Sequence, residues 1–226
     1  VNSQLVYDNS MVEGITEYVQ AKQPIGIACC SMAGATSPVT LAGTLAVNNA
    51  EVLAGIIYAQ LLRQGAPVIY GNTSGIVDMK TMSLALGAVE TSIINTAAGQ
   101  MARYYRIPYR SGGALTDSKL NDIQAGFESL MNLFTSMVSG TDFILQSAGI
   151  LESFMAISYE KFIIDEELCQ MMLKYRRGLT VNISDIALED IKERGPGGHF
   201  IDTIHTLNNF KREFYHSILV DRQPYD

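Results

Sequence analysis

The sequence predicts an α/β chain of the TIM-barrel type, carrying about four βα units of an eight-stranded barrel and then C-terminal helices. Three observations predict it. Short Val- and Ile-rich runs alternate with longer stretches of three-to-four-residue period, as in parallel strands joined by helices. No Gly-x-Gly-x-x-Gly and no P-loop follows any strand, so the usual mark of an open nucleotide-binding sheet is missing. Four strands are too few to close a barrel of about 250 residues, which leaves either an open sheet or part of a barrel, and the missing nucleotide loop favours the second.

Taken in order, residues 10–19 predict a short helix, and Pro24 to Cys30 a strand apolar enough to be buried on both faces. Asn48 to Leu62 follows as an amphipathic helix with Glu51 in its first turn, stopped by Gly65. Pro67 to Tyr70 is the second strand, Ser83 to Tyr105 a long helix or helix pair, and Ile107 to Arg110 the third strand. After the turn Ser111-Gly112-Gly113, Asn121 or Asp122 caps a helix that runs through Met137 to Gly140. Phe143 to Gln146 is the fourth strand. Residues 1–157 thus hold the βα units of a single domain, and 158–226 form its helical end: Tyr159 to Tyr175, Ser184 to Glu193 with Ser184 as cap, a Pro-Gly-Gly turn, and a last helix near Phe210. The start, Val1-Asn2-Ser3, lacks the layout of a signal peptide, and a first residue other than Met suggests a processed or partial chain.

Composition narrows the functional classes. Of 226 residues 47% are hydrophobic, ample for a core, and 23 acidic against 16 basic residues leave a net charge of −7. No basic cluster exceeds Arg176-Arg177, so nucleic acid is not an expected partner. No apolar run is expected to approach the roughly 18 residues of a membrane span, and the cytoplasm is the default location. Cys29, Cys30 and Cys169 form neither a disulfide framework nor a zinc pattern, and no His-Glu-x-x-His occurs, so no bound metal is expected.

In parallel α/β architectures the working groups lie on loops after the C-terminal ends of strands. Here those loops are small and polar: Ser31 to Pro38, Gly71 to Gly75, Ser111 to Lys119, and Ser147 to Glu152. An open mouth suited to a bulky group is one reading, and ordinary tight turns that need glycine is the other. Asp117 and Glu152 are the carboxylates nearest the mouth and would suit a cationic ligand, although each alone is also an ordinary cap or surface charge. Lys119 permits an aldolase reading by Schiff-base chemistry, which its polar surroundings disfavour. His199 and His205 flank the Pro196-Gly197-Gly198 turn without a triad around them. Glu90 and Glu128 lie within helices, and the methionines and Tyr104-Tyr105 fit packing.

At these loops the sequence becomes distinctive. The run Met32-Ala33-Gly34-Ala35-Thr36-Ser37-Pro38-Val39-Thr40-Leu41-Ala42-Gly43 resembles the most characteristic stretch of the trimethylamine methyltransferase family, and Gly65-Ala66-Pro67-Val68-Ile69-Tyr70-Gly71 resembles its next strand. Similar segments continue in register: residues 100–105, Gly112-Gly113-Ala114-Leu115-Thr116-Asp117-Ser118-Lys119, residues 122–128, Ser147 to Glu152, Glu160-Lys161-Phe162, and Gly195 to Phe200 with His205-Thr206. The resemblance covers nearly the whole chain and implies the later half of an eight-stranded barrel, with strands missing before Val1 and a shorter tail after Asp226.

It further implies transfer of a methyl group from a methylated amine to the Co(I) of a corrinoid, a cobalamin cofactor carried by a separate small protein. Archaeal trimethylamine enzymes of the family carry pyrrolysine in the loop here occupied by Gly112 to Asp117, at Ala114 or Leu115. This sequence has standard residues there, which points to the non-pyrrolysine branch, similar to glycine betaine and other quaternary-amine methyltransferases. A quaternary nitrogen needs no covalent activation, because it leaves as a neutral tertiary amine. By strand-end position or family motif, Tyr70, Asn72, Tyr109, Asp117, Glu152 and His199 are the candidates to line the amine pocket. Gly34, Thr36, Gly71, Gly112, Gly113 and Gly149 are the candidates to face the corrinoid. The competing readings are a partial barrel acting as a binding scaffold, with copies associating through exposed sheet edges, and a barrel lyase or aldolase using Lys119.

Overall fold

A computed structural model describes every residue except Ser3 and Asp226, so the reading of the start at Ser3 lies outside the described residues. The chain divides into two compact units, Val1–Glu166 and Glu167–Asp226. In the first, helix α1 (Asn9–Gln20) is capped by Asp8, whose carboxylate accepts the Met11 N–H at 2.9 Å. There follow β1 (Ile25–Cys29), β2 (Met32–Ala33), α2 (Leu41–Leu62), β3 (Val68–Asn72), β4 (Gly75–Val77), β5 (Leu84–Ala85) and α3 (Val89–Tyr105). Then come β6 (Tyr109–Gly112), α4 (Ile123–Val138) and β7 (Phe143–Leu145). The hairpin of β8 (Ile150–Leu151) and β9 (Ala156–Ile157) precedes α5 (Tyr159–Arg177), within which the unit boundary falls.

Strands β1, β3, β6 and β7 form one sheet, wholly parallel, whose spatial order is the chain order. Parallel neighbours require crossovers, and α2, α3 and α4 supply them. Since α2 packs on α3 and α3 on α4, all three cover the same face, for helices on opposite faces of a sheet could not touch. A doubly wound sheet would instead reverse its strand order and take helices on both faces.

Side chains alternate along each strand, so the register decides what each face receives. Ile27 pairs with Tyr70 and Tyr70 with Tyr109, which places all three against the helices. There they join Ile15, Val19, Cys29, Val52, Ile56, Ala59, Ala98 and Ala102 in the core. Each fully buried Val or Ile among them contributes roughly 1.5–3 kcal/mol. The opposite face carries Gly26, Ala28, Gly71, Arg110, Gly112, Phe143 and Leu145, and Phe143 on the edge strand is 50% exposed. A flat approach of β1 to β3 is possible only because residue 71 is glycine: a Cβ there would sit 2.6 Å from that of Ala28.

Several expectations need correcting. Helix α2 starts at Leu41 rather than Asn48, so Glu51 lies mid-helix and is 1% exposed. Both Asn48 and Glu51 face the sheet, where strand-end polar groups bond them. The same helix is long and apolar enough, by length and composition, to cross a membrane, against the expectation that no stretch comes close. Here it is a core helix packed on β1 and β3. Residues 83–88 are not helical, since β5 pairs antiparallel with β4 before α3 begins. Asp122 is the cap of α4, accepting the Ala125 N–H at 2.9 Å.

In the second unit the cap after residue 178 is Asn182, not Ser184, and Ala187 in left-handed conformation (φ 52°) splits the expected helix into α6 (Ile183–Ile186) and α7 (Leu188–Arg194). Helix α8 (Ile204–Glu213) is capped by Thr203. Arg212 of α8 pairs with Asp185 of α6 at 2.9 Å. Among the described residues of this unit only Glu167 and Thr203 are buried, and neither is apolar.

Candidate functional site

The C-terminal ends of four adjacent parallel strands necessarily open on one edge of the sheet, and the loops that leave them are tied to one another. Strand β2, which continues β1, pairs in parallel with β4, which continues β3, and the Thr73 hydroxyl donates to the Cys29 carbonyl at 2.7 Å. Asp117, in the loop after β6, accepts the N–H groups of Leu86 and Gly87 at 2.8 and 3.0 Å, and also the Ser153 hydroxyl. One carboxylate thereby links the loops after β3, β6 and β7. The Glu152 and Ser153 N–H groups add bonds to the Ser118 and Thr116 carbonyls at 2.9 and 3.0 Å.

The rim is supported from behind by buried charge and polarity. Glu128 of α4 accepts from the Thr116 hydroxyl at 2.6 Å and the Asp117 N–H at 2.8 Å, holding the loop after β6. The ammonium of Lys161, 1% exposed, donates to the Ala114 carbonyl, the Ser129 hydroxyl and Asp165, at 3.3, 2.8 and 2.5 Å. Asp165 in turn accepts the Gly149 N–H at 2.8 Å. Gly149 has φ +81°, a conformation that favours glycine, and Glu152, Ser153 and Phe154 beyond it are also left-handed, at 48°, 49° and 80°. That strained turn persists because Asp117 and the neighbouring carbonyls hold it from both sides.

Between the sheet and α2 lies a belt of buried polar groups. Asn48 donates to the Tyr70 hydroxyl at 3.1 Å and accepts from the Ser74 hydroxyl at 3.0 Å and the Cys29 thiol at 2.9 Å. Glu51 accepts from the Leu5 N–H at 2.6 Å and the Ser31 hydroxyl at 3.3 Å. Burial, with the carboxylate of Glu51 nearby, pushes the Cys29 thiol up to about 12, so it stays protonated and unreactive.

The structure distributes the expected amine-pocket residues unevenly. Asn72 ends β3, but Tyr70 lies in the middle of that strand and Tyr109 begins β6, against the expectation of strand-end positions, and all three side chains face the helices: the Tyr109 hydroxyl donates to the Asn95 carbonyl at 2.8 Å and Asn72 to the Asn95 side chain at 2.6 Å. Burial raises the pKa of both tyrosines above the ordinary phenol value. Asp117 is on the rim with its carboxylate fully engaged, and Glu152 is on the rim and exposed. His199 belongs to the second unit, 3.6 Å from Asp202 and mostly exposed.

Gly34 (φ +90°) and Thr36 form the turn after β2, where the Thr36 hydroxyl accepts the Met32 N–H at 2.9 Å. Gly112 and Gly113 are buried, and a Cβ on Gly113 would lie 2.7 Å from the Ser147 Cα, so glycine lets the loops after β6 and β7 touch. Lys119 is exposed and donates to the Asp117 carbonyl at 2.8 Å, the opposite of the desolvated setting a Schiff-base lysine needs.

Sequence reasoning missed Arg110. It is 8% exposed, on the face opposite the helices, and its guanidinium donates to the Asn72 carbonyl and the Gln146 side chain, each at 3.0 Å. Burial lowers its pKa from the ordinary value. The signal was an Arg directly after Tyr109 in a strand, which period-two alternation assigns to the other face.

A singly wound parallel sheet with a tethered loop rim at its C-terminal edge defines an α/β protein of the kind that takes its ligands at strand ends. The chain belongs to the trimethylamine methyltransferase (MTTB) family, whose model it matches over residues 1–226. It is 49% identical to a glycine betaine methyltransferase of Desulfitobacterium hafniense over 98% of its length and 46% of that protein's. It is 40% identical to a proline betaine:corrinoid methyltransferase of Eubacterium limosum, again over 98% and 46%. An L-carnitine:corrinoid methyltransferase of the same organism is 38% identical over 81% of this chain and 38% of its own. The chain thus spans about half the length of the curated relatives it matches.

Proposed function

We propose that this chain is the later half of the catalytic barrel of a methyltransferase that moves a methyl group from a quaternary amine to the corrinoid of a partner protein in the cytoplasm. Supporting this are the family membership over the whole length, relatives whose names specify betaines and carnitine, and standard residues in the loop of Gly112 to Asp117. The observation that carries it is the single connected rim at the C-terminal edge of the parallel sheet. The sheet ends in two unpaired edge strands, β1 and β7, with an open face between them, which suits closure by further strands of a longer protein.

The corrinoid would supply a strongly nucleophilic cobalt as methyl acceptor. Of the residues expected to face it, Gly34 and Thr36 lie at the accessible surface of the rim, whereas Gly71, Gly112, Gly113 and Gly149 are buried and let neighbouring strands and loops pack closely. What these residues contribute is placement and dryness: the rim holds the amine in one orientation, excludes water, and lets a neutral tertiary amine depart without a proton. Glu152 is the rim carboxylate with room to face a cationic nitrogen, while Asp117 fixes the loops around it. Full-length protein mixed with glycine betaine, its corrinoid protein and a reductant is expected to form methylcobalamin and dimethylglycine. No product from any quaternary amine would overturn the reading.

A further inference from the structure

One buried side chain touches both the loop after β3 and the loop after β6. Asn132, near the middle of α4 and fully buried, donates from its amide nitrogen to the Leu86 carbonyl at 3.0 Å and the Leu115 carbonyl at 3.1 Å. Its amide oxygen accepts the Ser92 hydroxyl of α3 at 3.1 Å. Two carbonyls can be met only by the two amide hydrogens, so these bonds fix which way the amide points. The segment it grips is held from other directions as well. Asp117 accepts the N–H groups of Leu86 and Gly87 at 2.8 and 3.0 Å, and the Thr91 hydroxyl of α3 donates to the Ala85 carbonyl at 3.1 Å. A Cβ on Gly87 would overlap the Glu128 carboxylate, so glycine lets the group that holds Thr116 and Asp117 lie against the same segment. Residues 85–87 are thus bound by side chains from α3, α4 and the loop after β6, all within the first unit.

Resting on the methyl-transfer reading above, we propose that Asn132 is a positioning residue for methyl transfer: from behind the rim it sets the spacing of the loops after β3 and β6, touching neither amine nor corrinoid. Ser92 orients its amide, and Asp117 holds the opposite side of the Leu86 peptide, so the two loops keep one spacing. Transfer of a methyl group demands an in-line approach, and a displacement of about 1 Å from a change remote from the chemistry can cost about 100-fold in rate. Being fully buried behind the loops, Asn132 adds no contact of its own to a bound amine. Its loss is therefore read in the turnover of bound substrate and not in amine affinity. A merely structural residue would lower stability and leave the turnover of each folded molecule alone.

The test compares full-length wild type, Asn132→Ala and Ser92→Ala. Asn132→Ala takes the donor from both carbonyls, whereas Ser92→Ala removes only the hydroxyl that orients the amide, so the second variant decides if the first does not fold. Backbone hydrogen exchange, followed on the folded proteins without the corrinoid protein, is expected to quicken at residues 85–88 and 115–118, by about two- to tenfold in Ser92→Ala, the worth of one hydrogen bond. Calorimetric affinity for glycine betaine is expected to stay within about twofold of wild type, while kcat for methylcobalamin formation per folded molecule falls about 10- to 100-fold in Asn132→Ala and about two- to tenfold in Ser92→Ala. Unchanged exchange in those residues, an unchanged kcat per folded molecule in Ser92→Ala, or a loss carried wholly by glycine betaine affinity overturns the proposal and leaves methyl transfer standing. Wild type that forms no methylcobalamin from any quaternary amine removes the functional reading, and the role of Asn132 in it, whatever the exchange shows.

Discussion

Tyr70 illustrates why a place in a parallel strand does not by itself make a ligand. Its hydroxyl accepts from Asn48 and donates to Asn49, both at 3.1 Å, inside the layer between sheet and helices. Tyr70→Phe leaves the buried Asn48 amide short of a partner and is expected to cost about 1–3 kcal/mol of stability. Chemical denaturation checks the cost, and substrate affinity in the full-length protein is expected to be unchanged. A large loss of affinity at unaltered stability would put Tyr70 in the pocket after all. Sequence position placed Tyr70, Asn72 and Tyr109 on or beside the right strands, but β3 and β6 each run two residues further than expected, so only Asn72 stands at a C-terminal end, and only the register with Ile27 assigns their faces. Arg110 escaped notice for the converse reason: a single charge in a short strand looks like a surface residue until its burial is known.

At the scale of elements, what holds the rim is the set of charges placed behind the loops. Lys161 of α5 reaches the loop after β6 through Ala114 and the loop after β7 through Asp165 and Gly149. Lys161→Met removes the cation and leaves Asp165 buried without it, which is expected to destabilise the fold by about 3–5 kcal/mol, read by urea denaturation. A change below 1 kcal/mol would mean that the pair is replaceable and the rim is held elsewhere.

The four parallel strands and α1, α4 and α5 were legible, α4 best of all because Asp122 caps it and Gly140 follows it, whereas α3 was legible in its body but not at its start, where residues 84–85 pair as a strand. The start of α2 was not, since Leu41 to Val47 is a run of Ala, Gly, Thr and Leu with no apolar stripe. Asn48 and Glu51 then read as the first turn of the helix, whereas they lie within it and are bonded by Ser74, Cys29 and Ser31 at the ends of the strands. Strands of two or three residues, as in β2, β4, β5, β8 and β9, are too short to carry a period at all.

For the molecule as a whole, the first unit has an open sheet face between two edge strands, and the second has no buried apolar residue among those described. On the reading proposed above, the rest of a protein about twice this length would cover them. On that reading the corrinoid protein docks on the rim at the C-terminal edge of the sheet. Hydrogen–deuterium exchange on the full-length protein, with and without its corrinoid protein, tests it most directly. Protection is expected in residues 34–37, 73–75, 112–119 and 146–154. Protection confined to the solvent side of α2, α3 and α4, with the rim unchanged, would contradict it.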